Sequence, residues 1–423
     1  MKALFFLLIP LFLLSSNIAF GAGPEFRPEG TFVVHQIVPH PVKPEEAFAI
    51  TSNFGILKSD DAGVNWKRIN NGIKSFTHHA LAISGSPGYR LYAGAWGGGV
   101  SRSDDDGQSW IEINNGLANT AVDAIAIDSD DSDRLYIATT THLYRQVQGE
   151  WTVFDEGILP FPDEIRFKSL LLFPGRPKLL WLGTAKGLFF RPVDSPRWSE
   201  IAEFHGSRIS ALECDSRRKT LWVGTVGKGL YLLTPGGRSR RISSFPDRLW
   251  ISEIAIDPSG EETVYVATRG KGIFRSADGG GTWTSSNSGL DDPDIRSLAI
   301  QPKNRLLLYA GTTARGIFRS VDGGMSWSPA HPLPPLTMPE IVEQLDASNG
   351  PSLPVPEVIS KCNRCHGWTD PFLNRKITYW RVPPNPRKWD ETVRRMSERA
   401  GLSPQEEREL IDFLSKYSAG TAR

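Results

Sequence analysis

Residues 362–366 read Cys-Asn-Arg-Cys-His, a spacing that suits covalent attachment of a c-type haem. Two thiols separated by two residues reach the two vinyl groups on one edge of a porphyrin. The adjacent imidazole then turns beneath the ring to ligate iron. Cys362 and Cys365 are therefore the expected attachment residues for one haem c, and His366 its expected axial ligand. Three other chemistries use similar residues. A structural zinc needs four ligands, and no second Cys or His pair follows downstream. A thioredoxin-like dithiol needs a βαβ setting, which the surrounding sequence lacks. A plain disulfide between Cys362 and Cys365 stays open for an exported chain.

The iron's sixth position points to Met396. Beyond the initiator, the methionines are Met325, Met338 and Met396. Pro386 and Gly401 are suited to the start and stop of a helix over about 386–400. Trp389, Val393 and Met396 share one face of it, so the Met396 thioether can meet iron opposite His366 and raise its potential. An open sixth position is the alternative, with His331 and Met338 as outside candidates. Ser403-Pro404-Gln405-Glu406 is a capping box with proline at the first helical position. It opens a last helix whose apolar stripe is Leu410, Ile411, Phe413, Leu414 and Tyr417. Glu357–Lys361 can supply a short helix entering the motif. These helices make a small all-α unit over 357–418, whose core a covalent haem would largely fill.

The stretch from Cys362 to Tyr417 resembles a compact monohaem c-type cytochrome domain: the Cys-x-x-Cys-His motif, the Trp389-x-x-x-Val393-x-x-Met396 segment and the closing Asp412-Phe413-Leu414 helix carry the likeness. Similar helices occur in the cytochrome domains of quinohaemoprotein dehydrogenases. The likeness covers about one seventh of the chain and implies haem, not a particular partner. Arg375, Lys376, Trp380 and Arg381 are candidates for haem-propionate contacts or ordinary surface residues.

Upstream the sequence changes character. Eight prolines fall between 329 and 356, a stiff linker composition expected over 332–356. Before it, a unit of about 44 residues repeats. Ser-x-Asp-x-Gly-x-x-Trp occurs four times, ending at Trp66, Trp110, Trp283 and Trp327, and Trp151 and Trp198 continue the register. A unit lacking its Trp near Arg241 fills the remaining gap, making seven. Each unit has an alternating apolar segment such as Ala124-Ile125-Ala126-Ile127, a second such as Val264-Tyr265-Val266-Ala267-Thr268, and a third such as Gly272-Ile273-Phe274-Arg275-Ser276. A fourth begins at the Trp. Short strand signals separated by Gly and Asp turns, four per unit and seven units, describe an all-β seven-bladed β-propeller over 30–331.

The Ser-x-Asp-x-Gly-x-x-Trp motif resembles the Asp-box, or BNR, repeat of sialidase-like and sortilin-like propellers. The blade sequences are also similar to propellers of photosystem II assembly factors, which act as binding platforms. The box falls on the turn between third and fourth strands, where Ser and Asp bond their own backbone and Gly takes a positive φ. Its copies sit all around the ring and do not converge, so no chemistry is assigned to them. Cys214 stands where other units have Ile127, Ile256 and Ile300, which makes it a small buried residue. Lys186, Lys228, Arg269, Lys271 and Arg315 lie in the loops between second and third strands. They are either solvated turn charges or a cationic rim able to attract an acidic or anionic partner.

Lys2 followed by the apolar run 3–14 and by small residues at Ala19, Gly21 and Ala22 reads as a secretory signal over 1–22. The run is short for a membrane span, and a soluble periplasmic or extracellular protein is expected. The 423 residues carry 48 Lys+Arg against 47 Asp+Glu, with 13 Trp, 40 Gly and 31 Pro. That length suggests two or three domains, the aromatic content excludes intrinsic disorder as the main description, and the charge balance argues against nucleic-acid binding. The expected function is electron transfer through one haem, with the propeller docking a redox partner or serving as scaffold. The alternative is a periplasmic haem-dependent dehydrogenase whose propeller oxidises a small molecule, an analogy at the level of fold. A sialidase-like hydrolase comes third, because it would need a converging arginine cluster with a Tyr and an acid, typically on six blades.

Overall fold

A computed structural model describes residues 33–330, apart from 53, 86–87, 129–130, 157, 159–166, 176 and 235–237, together with the isolated helical residues Gln405 and Arg408. The expected signal segment, the linker and the haem-binding unit, with Cys362, Cys365, His366 and Met396, lie outside the described residues.

The seven sequence units form seven four-stranded antiparallel sheets. In blade 1 the strands are Val34–Pro39, Ala47–Thr51, Ile56–Ser59 and Lys67–Arg68; in blade 7 they are Ile295–Gln301, Asn304–Thr312, Ile317–Ser320 and Ser328–Pro329. Within every blade the strands follow chain order, so no strand is shared between the first blade and the last. The ring closes through side chains instead. Val34, Ile37, Leu57 and Trp66 of blade 1 pack against Leu307, Tyr309 and Ile317 of blade 7. The Ile37 N–H donates to Ser297 Oγ at 2.8 Å, and Arg319 donates to the Ala62 carbonyl at 3.2 Å. A Cβ at Gly63 would fall 2.4 Å from the Tyr309 ring, and Gly63 has a φ of +83°, so this seam requires glycine there.

The second strands are the apolar heart of each blade. Ala47–Thr51, Leu91–Ala95 and Val264–Thr268 are buried at every position, as expected for strands covered on both faces by neighbouring blades. The conserved-looking Trp then ties one blade to the previous one. Trp110, Trp198 and Trp327 donate their indole N–H to the carbonyls of Ile69, Phe154 and Ser286, at 2.7, 3.1 and 2.8 Å. Each acceptor follows the fourth strand of the preceding blade. Blade 5 has Ser239 at this register position, so the junction between blades 4 and 5 lacks the indole tie.

The Asp-boxes are chemically saturated. Ser103 Oγ donates to Asp105 Oδ1 at 2.7 Å and accepts from Gly107 N–H, while Asp105 accepts from Ser109 N–H at 2.9 Å. Bonds from Ser109 hold the Asp105 carboxyl down at about 2, and those from Thr282 do the same for Asp278. Cys214 departs from expectation in being half-buried rather than part of the core. It sits near the outer end of its strand, where the neighbouring blade covers less of it.

Candidate functional site: the axial channel

The innermost strands converge on a channel with a cavity of about 510 Å³. Each of the seven begins with the same irregularity. Register with the second strand slips between Val34 and Gln36, His78 and Ala80, Val122 and Ala124, Phe167 and Ser169, Ile209 and Ala211, Ile251 and Glu253, and Ile295 and Ser297. A bulge leaves one residue unpaired and re-aims its side chain. Here the skipped residues His35, His79, Asp123, Ser210, Ser252 and Arg296 all line the cavity.

The residue after each second strand props this ring from above. Ser52 Oγ lies 2.7 Å from His35 Nε2, Trp96 stacks on His79 with ring centroids 5.9 Å apart, and Thr313 Oγ1 accepts from Arg296 Nε at 3.1 Å. The props are themselves held rigidly. Thr51, Thr225, Thr268 and Thr312 are buried and donate to the carbonyls of Gly55, Gly229, Gly272 and Gly316, at 2.7–3.1 Å. A threonine that closes the loop behind each rim residue fixes where that residue points.

The two sides of the ring differ in chemistry. On blades 1–3, His35 and His79 lie 4.6 Å apart between ring centroids, and His79 Nδ1 is 3.4 Å from Asp123 Oδ1. Burial, then the His79 charge, holds His35 well below the usual imidazole range. On blades 5–7, Arg208 and Arg269 flank Trp250 at 5.7 and 5.2 Å from its ring. Arg269 also pairs with Asp294 at 2.8 Å. Deeper in the channel, Glu213 and Glu253 enter from blades 5 and 6. Burial pushes both carboxyls up to about 8, with repulsion from Glu253 and Asp215 adding to the shift of Glu213. At neutral pH both are chiefly neutral donors.

Of the five rim cations expected from sequence, Arg269 alone lines the cavity. Lys186, Lys271 and Arg315 are exposed loop residues, and Lys228 Nζ turns away to Ser207 Oγ at 3.0 Å. Arg208 and Arg296 were missed because they belong to the innermost strands and their approach. The signal was available: His35, His79 and Asp123 are spaced by 44 residues, as are Ser252 and Arg296. One cluster with metal-ligating residues, His40, Glu46 and Asp106, lies on the opposite face. Lys43 Nζ occupies it, 3.0 Å from Glu46 and 2.8 Å from Asp106, and His40 Nδ1 accepts two backbone N–H groups. An ammonium at its centre leaves that cluster no cation to hold.

Among the described residues no helix is long and apolar enough to cross a membrane. No protein-family model matches the chain, and no curated protein matches it in sequence. Solved structures do match the propeller. A GH74 enzyme from Niastella koreensis superposes with a TM-score of 0.59 at 19% identity, over 71% of this chain and 54% of that one. The extracellular domain of a one-component system from B. thetaiotaomicron gives 0.54 at 18%, over 69% and 38%. YCF48 bound to D1 peptide gives 0.53 at 12%, over 70% of this chain and 98% of that one. The chain thus spans about half, or less, of the first two proteins. What these likenesses establish is the fold, a seven-bladed β-propeller.

Proposed function

We propose that the chain is an exported c-type cytochrome whose propeller is a docking domain for an acidic or anionic redox partner. The observation that carries this reading is the Cys362-Asn363-Arg364-Cys365-His366 motif placed after a ring that is already closed. Cys362 and Cys365 would hold the porphyrin through thioethers, with His366 and Met396 on the iron. The bound group supplies one-electron exchange between ferric and ferrous states. The channel supports binding over catalysis. Acid–base pairs that do chemistry have acidities driven apart by their environments, whereas Glu213 and Glu253 are driven the same way. Arg208, Arg269 and Trp250 at the mouth suit a partner bearing carboxylates, and YCF48 offers a precedent for a propeller of this fold that holds a peptide.

The test is an optical spectrum, oxidised and reduced, of protein exported from a host that matures haem c. A low-spin spectrum with the ferric methionine–iron band, lost in Met396→Ala, is the expected result. A colourless protein sinks the reading. The rival, a dehydrogenase, draws on the cavity, whose size suits a small molecule. Reduction of the haem on addition of a sugar, alcohol or amine would bring it forward.

A further inference from the structure

The four Asp-box turns share one backbone but present different faces to water. The second and sixth positions of the box are Asp60 and Val64 in blade 1, Asp104 and Gln108 in blade 2, Ala277 and Gly281 in blade 6. In blade 7 they are Val321 and Met325, which are 60% and 66% exposed. Leu306, 49% exposed, joins them, since Gly323 of this turn donates to the Leu306 carbonyl at 3.0 Å. The turn needs no apolar residue at either site, because the other three copies fold without the pair. Three large apolar side chains on one turn make a surface that water disfavours.

We propose that this patch on blade 7 is the seat of the chain's own C-terminal segment, residues 357–418. The patch lies beside the point where the chain leaves the ring. Ala330 is packed into the seam between blades 7 and 1, and it follows Met325 by five residues, at most about 17 Å of chain. The next 26 residues are the Pro-rich stretch, whose reach is on the order of 28 Å. A segment tethered that closely meets the patch at a millimolar effective concentration, so a modest apolar contact is enough to hold it. The segment offers matching chemistry in Leu410, Ile411, Phe413 and Leu414. The inference rests on the reading of 357–418 as a folded unit, not on what that unit binds.

Small-angle scattering of the intact protein tests it, with sedimentation to fix the oligomeric state. A docked monomer has a radius of gyration of about 21 Å. The double variant Val321→Asp/Met325→Asp should raise it by about 3 Å, and Val321→Ser/Met325→Gln should move it the same way. Both sites are exposed, so neither variant disturbs the ring. A wild-type chain that is already extended, or variants as compact as wild type, overturn the proposal. So does a wild-type dimer that the variants make monomeric, which assigns the patch to a second copy. The haem spectrum is recorded on the same samples: compact but colourless protein keeps the docking and removes the cytochrome, and coloured but extended protein does the reverse.

Discussion

The two ends of the propeller treat repetition differently. On the Asp-box face the same residues recur at equivalent positions, and every polar group in them is spent within its own turn, as with Ser103, Asp105 and Ser109. At the channel mouth the backbone recurs just as faithfully, a bulge in every blade, but the residue it ejects changes from His35 and His79 to Asp123, Ser210, Ser252 and Arg296. Repeated chemistry on a repeated backbone marks what the fold needs. Varied chemistry on a repeated backbone marks a surface free to answer to a ligand.

If that contrast is right, damage to the repeated elements should cost stability and leave the mouth's specificity intact. Trp110 is buried among Phe48, Ile50, Ile56 and Leu81 and donates to Ile69 across the blade junction. Trp110→Ala should destabilise the ring by about 3–5 kcal/mol, measured by chemical denaturation. A loss below about 1 kcal/mol would mean that the indole ties are dispensable.

The channel acids should give the next largest effect, visible as a pH profile. Glu213 and Glu253 have folded-state values raised to about 8 from 4.5. Their protonated forms favour the fold, so stability falls as pH rises from about 4.5 through about 8. His78, which burial lowers to about 3 from 6.5, acts on the acid side: stability falls as pH drops below 6.5. Maximum stability is therefore expected near pH 6. Replacing both acids with Gln should remove the alkaline loss, on the order of a few kcal/mol, in denaturation midpoints taken at pH 6 and pH 9. An unchanged alkaline limb would show that water already reaches these carboxyls.

Much of this architecture was legible in the sequence, and the reason is periodic. Trp66 and Trp110, or Trp283 and Trp327, announce a unit because a buried indole at a blade junction tolerates few replacements. Ser239, standing where the indole should be, shows why one unit was found only by counting. The channel ring was less legible. A bulge breaks the two-residue alternation that identifies a strand face, so His35 or Ser252 reads as a residue on either face until the pairing is seen. Arg208 precedes its strand and gave no local signal at all. Cys214 was read from its alignment with Ile127 and Ile256, but sequence register does not report how far along the blade cover extends.

The mouth itself should respond modestly and selectively. Arg208→Ala combined with Arg269→Ala is expected to weaken an anionic partner by about tenfold and to flatten the salt dependence of binding. Stability should change little, because Arg208 is exposed and Arg269 pairs at the surface with Asp294. Equal binding before and after, measured at low and moderate salt, would move the docking surface away from the channel.

The smallest effect concerns the thiols, and it sharpens the contrast between ring and tail. Burial pushes the Cys214 thiol up to about 11, with the Glu213 charge adding to it. At pH 7 about one thiol in ten thousand is then ionised, and the thiolate is the nucleophile. Cys214→Ser should change stability by no more than about 1 kcal/mol, because its Sγ already lies 3.7 Å from the Ser216 hydroxyl. In native protein matured with haem, Cys362 and Cys365 would be consumed as thioethers, so alkylation at pH 7 followed by intact mass should find almost no label. Denaturation should then release a single reactive thiol, that of Cys214. Three labels after denaturation without reductant would mean that Cys362 and Cys365 are free. Three labels only after reduction would mean that they form a disulfide. Either count separates a chemically inert ring from a tail whose two cysteines have some other task than holding a haem.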